Sequence, residues 1–328
     1  MARNSLKYEL NQHTFGSEIQ RKDGLSDQTI SNYKHYNAVF RDFCQKIGVN
    51  TFSKLQSQGK AVLEAYIEDM KDRGLSAATI HSYLSAPCKA LGIHMDEIEK
   101  PKRITAKGSR AGGVESARSS TEKMSPEYQA AYQFCAAVGI RKHEAMRLTG
   151  DCLGRDDSGR LFVLVKSGKG GKLQKQRILP DNEPVVLAAF KGKAPEDRLF
   201  SSSQFSKNIN YHLARAKAAQ TAYQYYKDHY QTPQARTELA WDLIREYQAA
   251  LESGKIRNQK ILEKRSVRFA DEIIDNRDKP YMLRGENRKL AESKGLPVSY
   301  DRLALMAVSV FHLAHWRLDV TVTNYMIK

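Results

Sequence analysis

Cysteine is scarce in this chain of 328 residues, and its four copies fit no metal-binding or disulfide pattern. Cys44, Cys88, Cys135 and Cys152 are widely separated, lack CxxC spacing and have no accompanying histidines. Each lies in an apolar-periodic segment or just after one. We interpret them as reduced side chains in the core of a cytosolic protein, not as zinc ligands or members of a disulfide framework.

Long apolar runs are also absent. No uninterrupted stretch approaches the roughly 20 residues that a membrane-spanning helix requires. The first seven residues, Met-Ala-Arg-Asn-Ser-Leu-Lys, lack the apolar core of a secretory signal. We therefore expect a cytoplasmic protein without a membrane partner.

Acidic residues are fewer than basic ones: 37 Asp and Glu stand against 53 Lys and Arg, for a formal net charge of +16. This excess favours a polyanionic partner such as nucleic acid, although a soluble basic protein would show it too. If the partner is DNA, the protein would be associated with the nucleoid. The length allows two domains, each with its own core.

The first part of the chain has the pattern of a helical domain. Ser26 and Ser76 are candidate helix N-caps, and apolar residues follow each of them at spacings of three and four. We predict an N-terminal arm at 1–19 and a compact domain of four helices at 20–99. A basic, glycine- and serine-rich linker at 100–121 follows. Because such a linker can run along a phosphate backbone, we expect DNA contacts from four of its residues: Lys102, Arg103, Lys107 and Arg110.

The second part, 122–328, mixes helices with a small sheet. Ser125-Pro126 predicts a helix start and Gly139 its end. Leu161 to Val165 is rich in β-formers, and Lys172 to Leu179 can pair back across the intervening glycines as a hairpin. A charged helical insertion is predicted near 215–265. The expected fold is mostly α with a small β-hairpin or sheet, in a helical N-terminal domain and an α+β C-terminal domain.

Four motifs contain residue types that DNA cleavage requires. Cleavage without a metal needs a nucleophile for phosphorus, cations for the charge on the nonbridging oxygens and an acid for the leaving oxygen. Arg141 and Arg284 are candidate cations, since a guanidinium makes two charge-assisted hydrogen bonds to one phosphate. Lys169 is the candidate acid, with Lys172 as the alternative. Tyr325 is the candidate nucleophile.

In chain order these motifs resemble those of the tyrosine recombinase (phage integrase) family. Gly-Ile-Arg141-Lys-His-Glu144 is similar to its first arginine box, and Ser-Gly-Lys169-Gly-Gly-Lys172 to its lysine hairpin. The resemblance implies a core-binding, SAM-like domain at 20–98 and a catalytic domain at 122–328. It also implies that Glu144 supports the site, that His315 hydrogen-bonds the scissile phosphate, and that Trp316 packs beside it or shares that contact.

The chain departs from the family pattern at two motifs. The second arginine box usually reads His-x-x-Arg, whereas Tyr281 takes the histidine position in Tyr281-Met-Leu-Arg284. Arg302 in Ser299-Tyr-Asp-Arg302 is the alternative. His315 precedes Tyr325 by one residue more than is common, and Trp316 occupies the common position.

The resemblance implies a site-specific recombinase, such as the integrase of a mobile element. It would cleave and rejoin duplex DNA through a covalent 3′-phosphotyrosyl intermediate, without metal, ATP or other cofactor. Four protomers would exchange strands on synapsed DNA, and the protein free of DNA would be a monomer or dimer. A directionality factor is a further candidate partner. The alternatives are a type IB topoisomerase and a catalytically decayed DNA-binding protein. The basic hairpin adds three candidate DNA contacts: Lys166, Lys172 and Lys175.

Overall fold

A computed structural model of the chain describes residues 5–104, 124–168, 173–206, 208–253 and 259–327. The described chain is mostly helical, with a three-stranded and a two-stranded antiparallel sheet. This confirms the prediction of a mostly α protein with a small sheet. The chain divides into two compact units, Met1–Ile104 and Thr105–Lys328. Among the helices of the described ranges, none is both long and apolar enough to cross a membrane.

The regular structure described in the first unit, residues 5–104, is all helical. In both helices predicted to begin at a serine, the hydroxyl oxygen accepts from the backbone N–H three residues on: Ser26 from Thr29 at 3.3 Å and Ser76 from Thr79 at 3.2 Å. The elements of this unit are α1 (Leu6–Phe15), α2 (Ser17–Asp23), α3 (Asp27–Lys46), α4 (Phe52–Asp72), α5 (Ala77–Leu91) and a 3₁₀ turn (Met95–Glu97).

Helix α1 belongs to the core of the first unit. Leu6 and Leu10 are buried in the same apolar cluster as side chains of α3, α4 and α5. The buried hydroxyl of Thr14 donates to the Leu10 carbonyl at 2.7 Å and lies 3.3 Å from the Ala86 carbonyl of α5. The packed unit therefore begins earlier than the predicted boundary at residue 20, and the described part of the expected arm is not a free extension.

The second unit combines helices with the two sheets. Its helices are α6 (Pro126–Val138), α7 (Lys142–Ala145), α8 (Glu183–Phe190), α9 (Tyr211–His229), α10 (Pro233–Glu252), α11 (Gln259–Asn276), α12 (Gly285–Ser293), α13 (Arg302–Ala307) and α14 (Leu318–Thr321). Its strands are β1 (Leu153–Arg155), β2 (Leu161–Val165), β3 (Gln174–Arg177), β4 (Tyr281–Met282) and β5 (Ser299–Tyr300). Two π-helical turns, Val308–His312 and Val322–Met326, follow α13 and α14.

Several local predictions for this unit are confirmed. Helix α6 begins with Pro126 in its first turn and ends at Gly139, whose φ of 70° lies in the left-handed region. Strands β2 and β3 pair as an antiparallel hairpin, with Val163 opposite Gln176, and β1 pairs with the other edge of β2. The hairpin tip at 169–172 and most of the predicted linker, 105–121, lie outside the described residues.

The predicted helical insertion consists of most of α9, all of α10 and the beginning of α11. Leu243 and Ile244 of α10 are buried. Trp241 of the same helix is 49% exposed. A helix turns by about 100° per residue, so Trp241 points roughly opposite to Leu243.

We predict that replacing Leu10 with alanine destabilises the protein. The substitution leaves a cavity in a packed core, so the free energy of unfolding should fall by about 2–5 kcal/mol, measured by urea unfolding of the full chain. Tyr8→Ala is the matched control because Tyr8 lies on the same helix but is 37% exposed. Its expected change is within about 1 kcal/mol. Equal, small changes in both variants would mean that α1 is a detached arm.

Candidate functional site

Arg141 and Glu144 form an ion pair directly after α6. Arg141 is the N-cap of α7, and its backbone N–H donates to Glu144 Oε2 at 3.2 Å while its Nη1 donates to Oε1 at 2.7 Å. Glu144 is only 1% exposed. Burial raises the pKa of this carboxyl, but Arg141 and Arg215 outweigh that effect, so its pKa lies below the usual value. The ionised Glu144 thus fixes the orientation of the Arg141 guanidinium.

A second guanidinium, that of Arg215 near the start of α9, is completely buried. Its Nη2 donates to the Leu313 carbonyl at 2.8 Å, and its Nη1 donates to the Gly139 carbonyl. Its Nε donates to the hydroxyl oxygen of Tyr325 at 3.3 Å. Burial lowers the pKa of Arg215, but an arginine remains protonated at any working pH. The site therefore contains a buried positive charge in contact with the candidate nucleophile.

Tyr325 lies in the last π-helical turn and is 9% exposed. Besides its bond to Arg215, its backbone carbonyl accepts from Gln220 Nε2 of α9 at 2.8 Å. The Arg215 guanidinium carbon lies 5.8 Å from the centre of the tyrosine ring. Two side chains of α9 thus hold Tyr325: Gln220 bonds its backbone carbonyl, and Arg215 bonds its hydroxyl.

His315 stacks on this tyrosine, with ring centres 5.9 Å apart and planes 20° apart. Its Nδ1 lies 3.4 Å from Ser309 Oγ, and its Nε2 is buried without a hydrogen-bond partner among the described residues. Burial, together with the charges of Arg215 and Arg141, lowers the pKa of His315 to about 3. The imidazole is therefore neutral at physiological pH.

The structure thus brings Arg141, Glu144, His315 and Tyr325 together, but it does not bring Arg284 to them. Arg284 is the exposed N-cap of α12. Within the described residues, no hydrogen bond, ion pair or ring contact joins Arg284 to that cluster.

Tyr281 and Arg302, from the two candidate second-arginine boxes, likewise make no hydrogen bond, ion pair or ring contact with this cluster among the described residues. The guanidinium carbon of Arg302 lies over the Tyr281 ring, 5.7 Å from the ring centre. Arg302 itself pairs with Glu272 at 2.8 Å. Neither Arg284 nor Arg302 thus makes a hydrogen bond, ion pair or ring contact with Tyr325 in the described chain.

The remaining predicted residues lie in several places. Trp316 packs against aromatic rings of α10 and α11. Lys166 is half-exposed and pairs with Asp151, and Lys175 lies over the Phe162 ring at 5.2 Å. Lys102 and Arg103 are exposed at the end of the first unit. Four predicted residues lie outside the described ranges: Lys107, Arg110, Lys169 and Lys172.

Arg215 is the residue that we did not predict from the sequence. The sequence carries a signal for it, because His212-Leu-Ala-Arg215 has the His-x-x-Arg pattern that is usual for the second arginine box. His212 is half-buried on the first turn of α9, three residues before the arginine. A short motif at the start of a long charged helix is easily mistaken for ordinary helix sequence.

We predict that the buried histidines make stability depend on pH. Burial lowers the pKa of His312 and His315 to about 3, whereas the ordinary value is 6.5. Between these values the unfolded chain binds protons that the folded chain excludes, so the free energy of unfolding should fall as the pH drops below about 6.5. The slope should approach about 1.4 kcal/mol per pH unit for each histidine.

Urea unfolding at a series of pH values measures this dependence. His315→Gln should reduce the slope by on the order of 1 kcal/mol per pH unit between about pH 6 and pH 5. His94→Gln is the control, since the His94 side chain is 75% exposed, and it should leave the slope unchanged. The same slope in wild type and His315→Gln would show that His315 is accessible to protons in the folded protein.

No protein-family model matches the chain, and no curated protein matches it either. A functional interpretation therefore depends on the geometry of the cluster. Two guanidinium groups, a neutral imidazole and a phenol meet there, and Glu144 provides the carboxylate that orients one of the guanidinium groups.

Proposed function

We propose that the protein is a site-specific DNA recombinase of the tyrosine type, in which Tyr325 cleaves one strand of duplex DNA. The observation that supports this most is the hydrogen bond between Arg215 and Tyr325, beside His315 and in the electrostatic field of Arg141. A phenol held by a guanidinium is suited to attack an anionic ester, because the same cation can stabilise both the nucleophile and the phosphate.

The proposed reaction exchanges one ester for another. The Tyr325 hydroxyl oxygen attacks phosphorus and loses its proton, the bond from phosphorus to the deoxyribose 5′ oxygen breaks, and that oxygen takes up a proton. The product is a 3′-phosphotyrosyl link with a free 5′ hydroxyl. Because the phosphotyrosyl ester conserves the energy of the broken phosphodiester bond, a 5′ hydroxyl of another strand can attack it and rejoin the DNA without ATP.

The two arginines would stabilise the charge that builds on the nonbridging oxygens. An arginine has five N–H groups, and the contacts of Arg215 to Gly139, Leu313 and Tyr325 use three of them. Two therefore remain for a phosphate oxygen. The Arg141 side chain is 16% exposed, which gives the cluster one cation near solvent.

His315 would hydrogen-bond the phosphate in its neutral form. Its unpartnered Nε2 is the atom available for this contact, since Nδ1 faces Ser309. The tautomer with its hydrogen on Nε2 donates to a phosphate oxygen, whereas the tautomer with its hydrogen on Nδ1 accepts the phenolic proton at Nε2 instead, so one neutral ring does not do both at once. The predicted leaving-group acid, Lys169, lies outside the described residues and stays a prediction from sequence.

The burial of Tyr325 implies a conformational step before cleavage. At 9% exposure the side chain is not open to a phosphodiester, so the turn that carries it must shift when DNA binds. Duplex DNA is the proposed substrate, bound by both units and by the basic residues of the linker and the hairpin, with a tetramer on synapsed sites as the active assembly. Cytoplasmic, nucleoid-associated location follows from this function.

We predict that Tyr325→Phe abolishes covalent trapping of the protein on a nicked suicide substrate made from cognate element-end DNA. Binding measured by gel shift should stay within about 3-fold of wild type, because the hydroxyl contributes to chemistry and not to the phosphate contacts that supply affinity. Mass spectrometry of the wild-type adduct should locate the link at Tyr325. An adduct formed by the phenylalanine variant would remove Tyr325 from the mechanism.

The same experiment distinguishes the alternatives. Relaxation of supercoiled DNA without sequence preference would favour a type IB topoisomerase. A footprint at a specific site with no adduct on any suicide substrate would favour a decayed DNA-binding protein.

We predict that the two candidate second arginines, Arg215 and Arg284, differ in their effect on cleavage. Arg215→Lys should slow cleavage by roughly 100-fold or more, because lysine cannot reproduce the guanidinium contacts. Arg284→Lys should change the rate by less than about 3-fold, since Arg284 is exposed and apart from the cluster. Thermal unfolding of both variants controls for misfolding. The reverse order of effects would restore Arg284 and exclude Arg215.

A further inference from the structure

The turn that holds His315 has an unfavourable backbone. Ala314 and Trp316, on either side of the histidine, have φ values of 50° and 57°. Residues with a β-carbon seldom adopt this left-handed conformation, so it persists only where surrounding contacts enforce it.

Ser309 holds the turn from one side. Its backbone carbonyl accepts from the His315 N–H at 3.2 Å, and its hydroxyl oxygen accepts from the Arg317 N–H at 2.8 Å. Ser309 is fully buried in the π-helical turn before His315. These bonds fix the two ends of the segment but do not touch the side chain of Trp316.

Three aromatic rings hold the other side. Tyr247 of α10 and Phe269 of α11 stack with ring centres 4.0 Å apart and planes 17° apart. The indole of Trp316 meets both edge-on, at 5.1 Å from Tyr247 and 6.3 Å from Phe269. Edge-to-face geometry at these separations is attractive, and it fixes the direction of the indole.

We propose that Tyr247 and Phe269 are positioning residues that act on His315 through Trp316. The proposal rests on the proposed function. Trp316 is covalently next to His315, so a side chain anchored between α10 and α11 restrains the peptide that orients the imidazole. Without the anchor, the left-handed residues would relax towards ordinary backbone angles, and the His315 ring would leave its stack on Tyr325.

Phe269→Leu tests the proposal, because leucine keeps an apolar side chain but removes the ring. We expect cleavage of a suicide substrate to slow by roughly 10- to 100-fold, the loss typical of a displaced group, while DNA affinity stays within about 2-fold. Phe269→Tyr keeps the ring and should retain cleavage within about 3-fold of wild type. Val267→Ala is the matched control on α11, since Val267 is 59% exposed, and it should behave as wild type.

A double variant shows whether the effect passes through Trp316. Trp316→Leu should slow cleavage as much as Phe269→Leu does, and the double variant should be no slower than Trp316→Leu alone. If the double variant is instead slowed by the product of the two single effects, Phe269 acts independently of Trp316, and the proposed route through Trp316 is overturned. Unchanged cleavage in Phe269→Leu with a folded protein would overturn the proposal as a whole.

The ring resonances of His315 give a readout that does not need activity. In Phe269→Leu they should shift and lose the contribution of the stacked Tyr325 ring, whereas Val267→Ala should leave them in place. If these shifts occur but wild type forms no adduct, the proposed function fails and the positioning contact stands. If wild type forms the adduct and the His315 resonances of Phe269→Leu are unchanged, the positioning proposal fails and the function stands.

Discussion

The buried positive charge of Arg215 is the constraint on which the second unit depends. A guanidinium without solvent must find acceptors inside the protein, because an unpaired buried charge is strongly destabilising. Its acceptors are the carbonyls of Gly139 and Leu313 and the hydroxyl of Tyr325. They come from the end of α6, the turn before His315 and the last π-helical turn. One side chain thus joins three segments that are distant in sequence.

The charges of the cluster do not cancel. Arg141 and Arg215 each carry a positive charge, Glu144 carries one negative charge, and His315 is neutral because burial and both arginines oppose its protonation. One positive charge remains, and a phosphodiester would bring the matching negative charge. The carboxylate orients one guanidinium without neutralising the pair. Protein carbonyls, which are dipoles and not charges, hold the other.

The helical insertion is part of this arrangement although it separates the motifs in sequence. Helices α10 and α11 lie between Arg215 and His315 along the chain, and their rings pack on Trp316 next to the histidine. The first unit depends on ordinary apolar packing instead. There α1 completes the core through Leu6 and Leu10, so the chain buries its first described helix and does not extend it into solvent.

Local sequence determined the helix starts, the left-handed end of α6 at Gly139 and the β2–β3 hairpin, because caps, glycine geometry and strand pairing act over a few residues. It also identified Arg141, His315 and Tyr325 as candidates. Tertiary structure decided which second arginine joins them. Arg215 and Arg284 each end a four-residue box, and although the box at Arg215 has the usual histidine, it is the burial of Arg215 among the carbonyls of distant segments that joins it to the cluster. Such burial depends on how elements far apart in the chain pack together, which no short motif encodes.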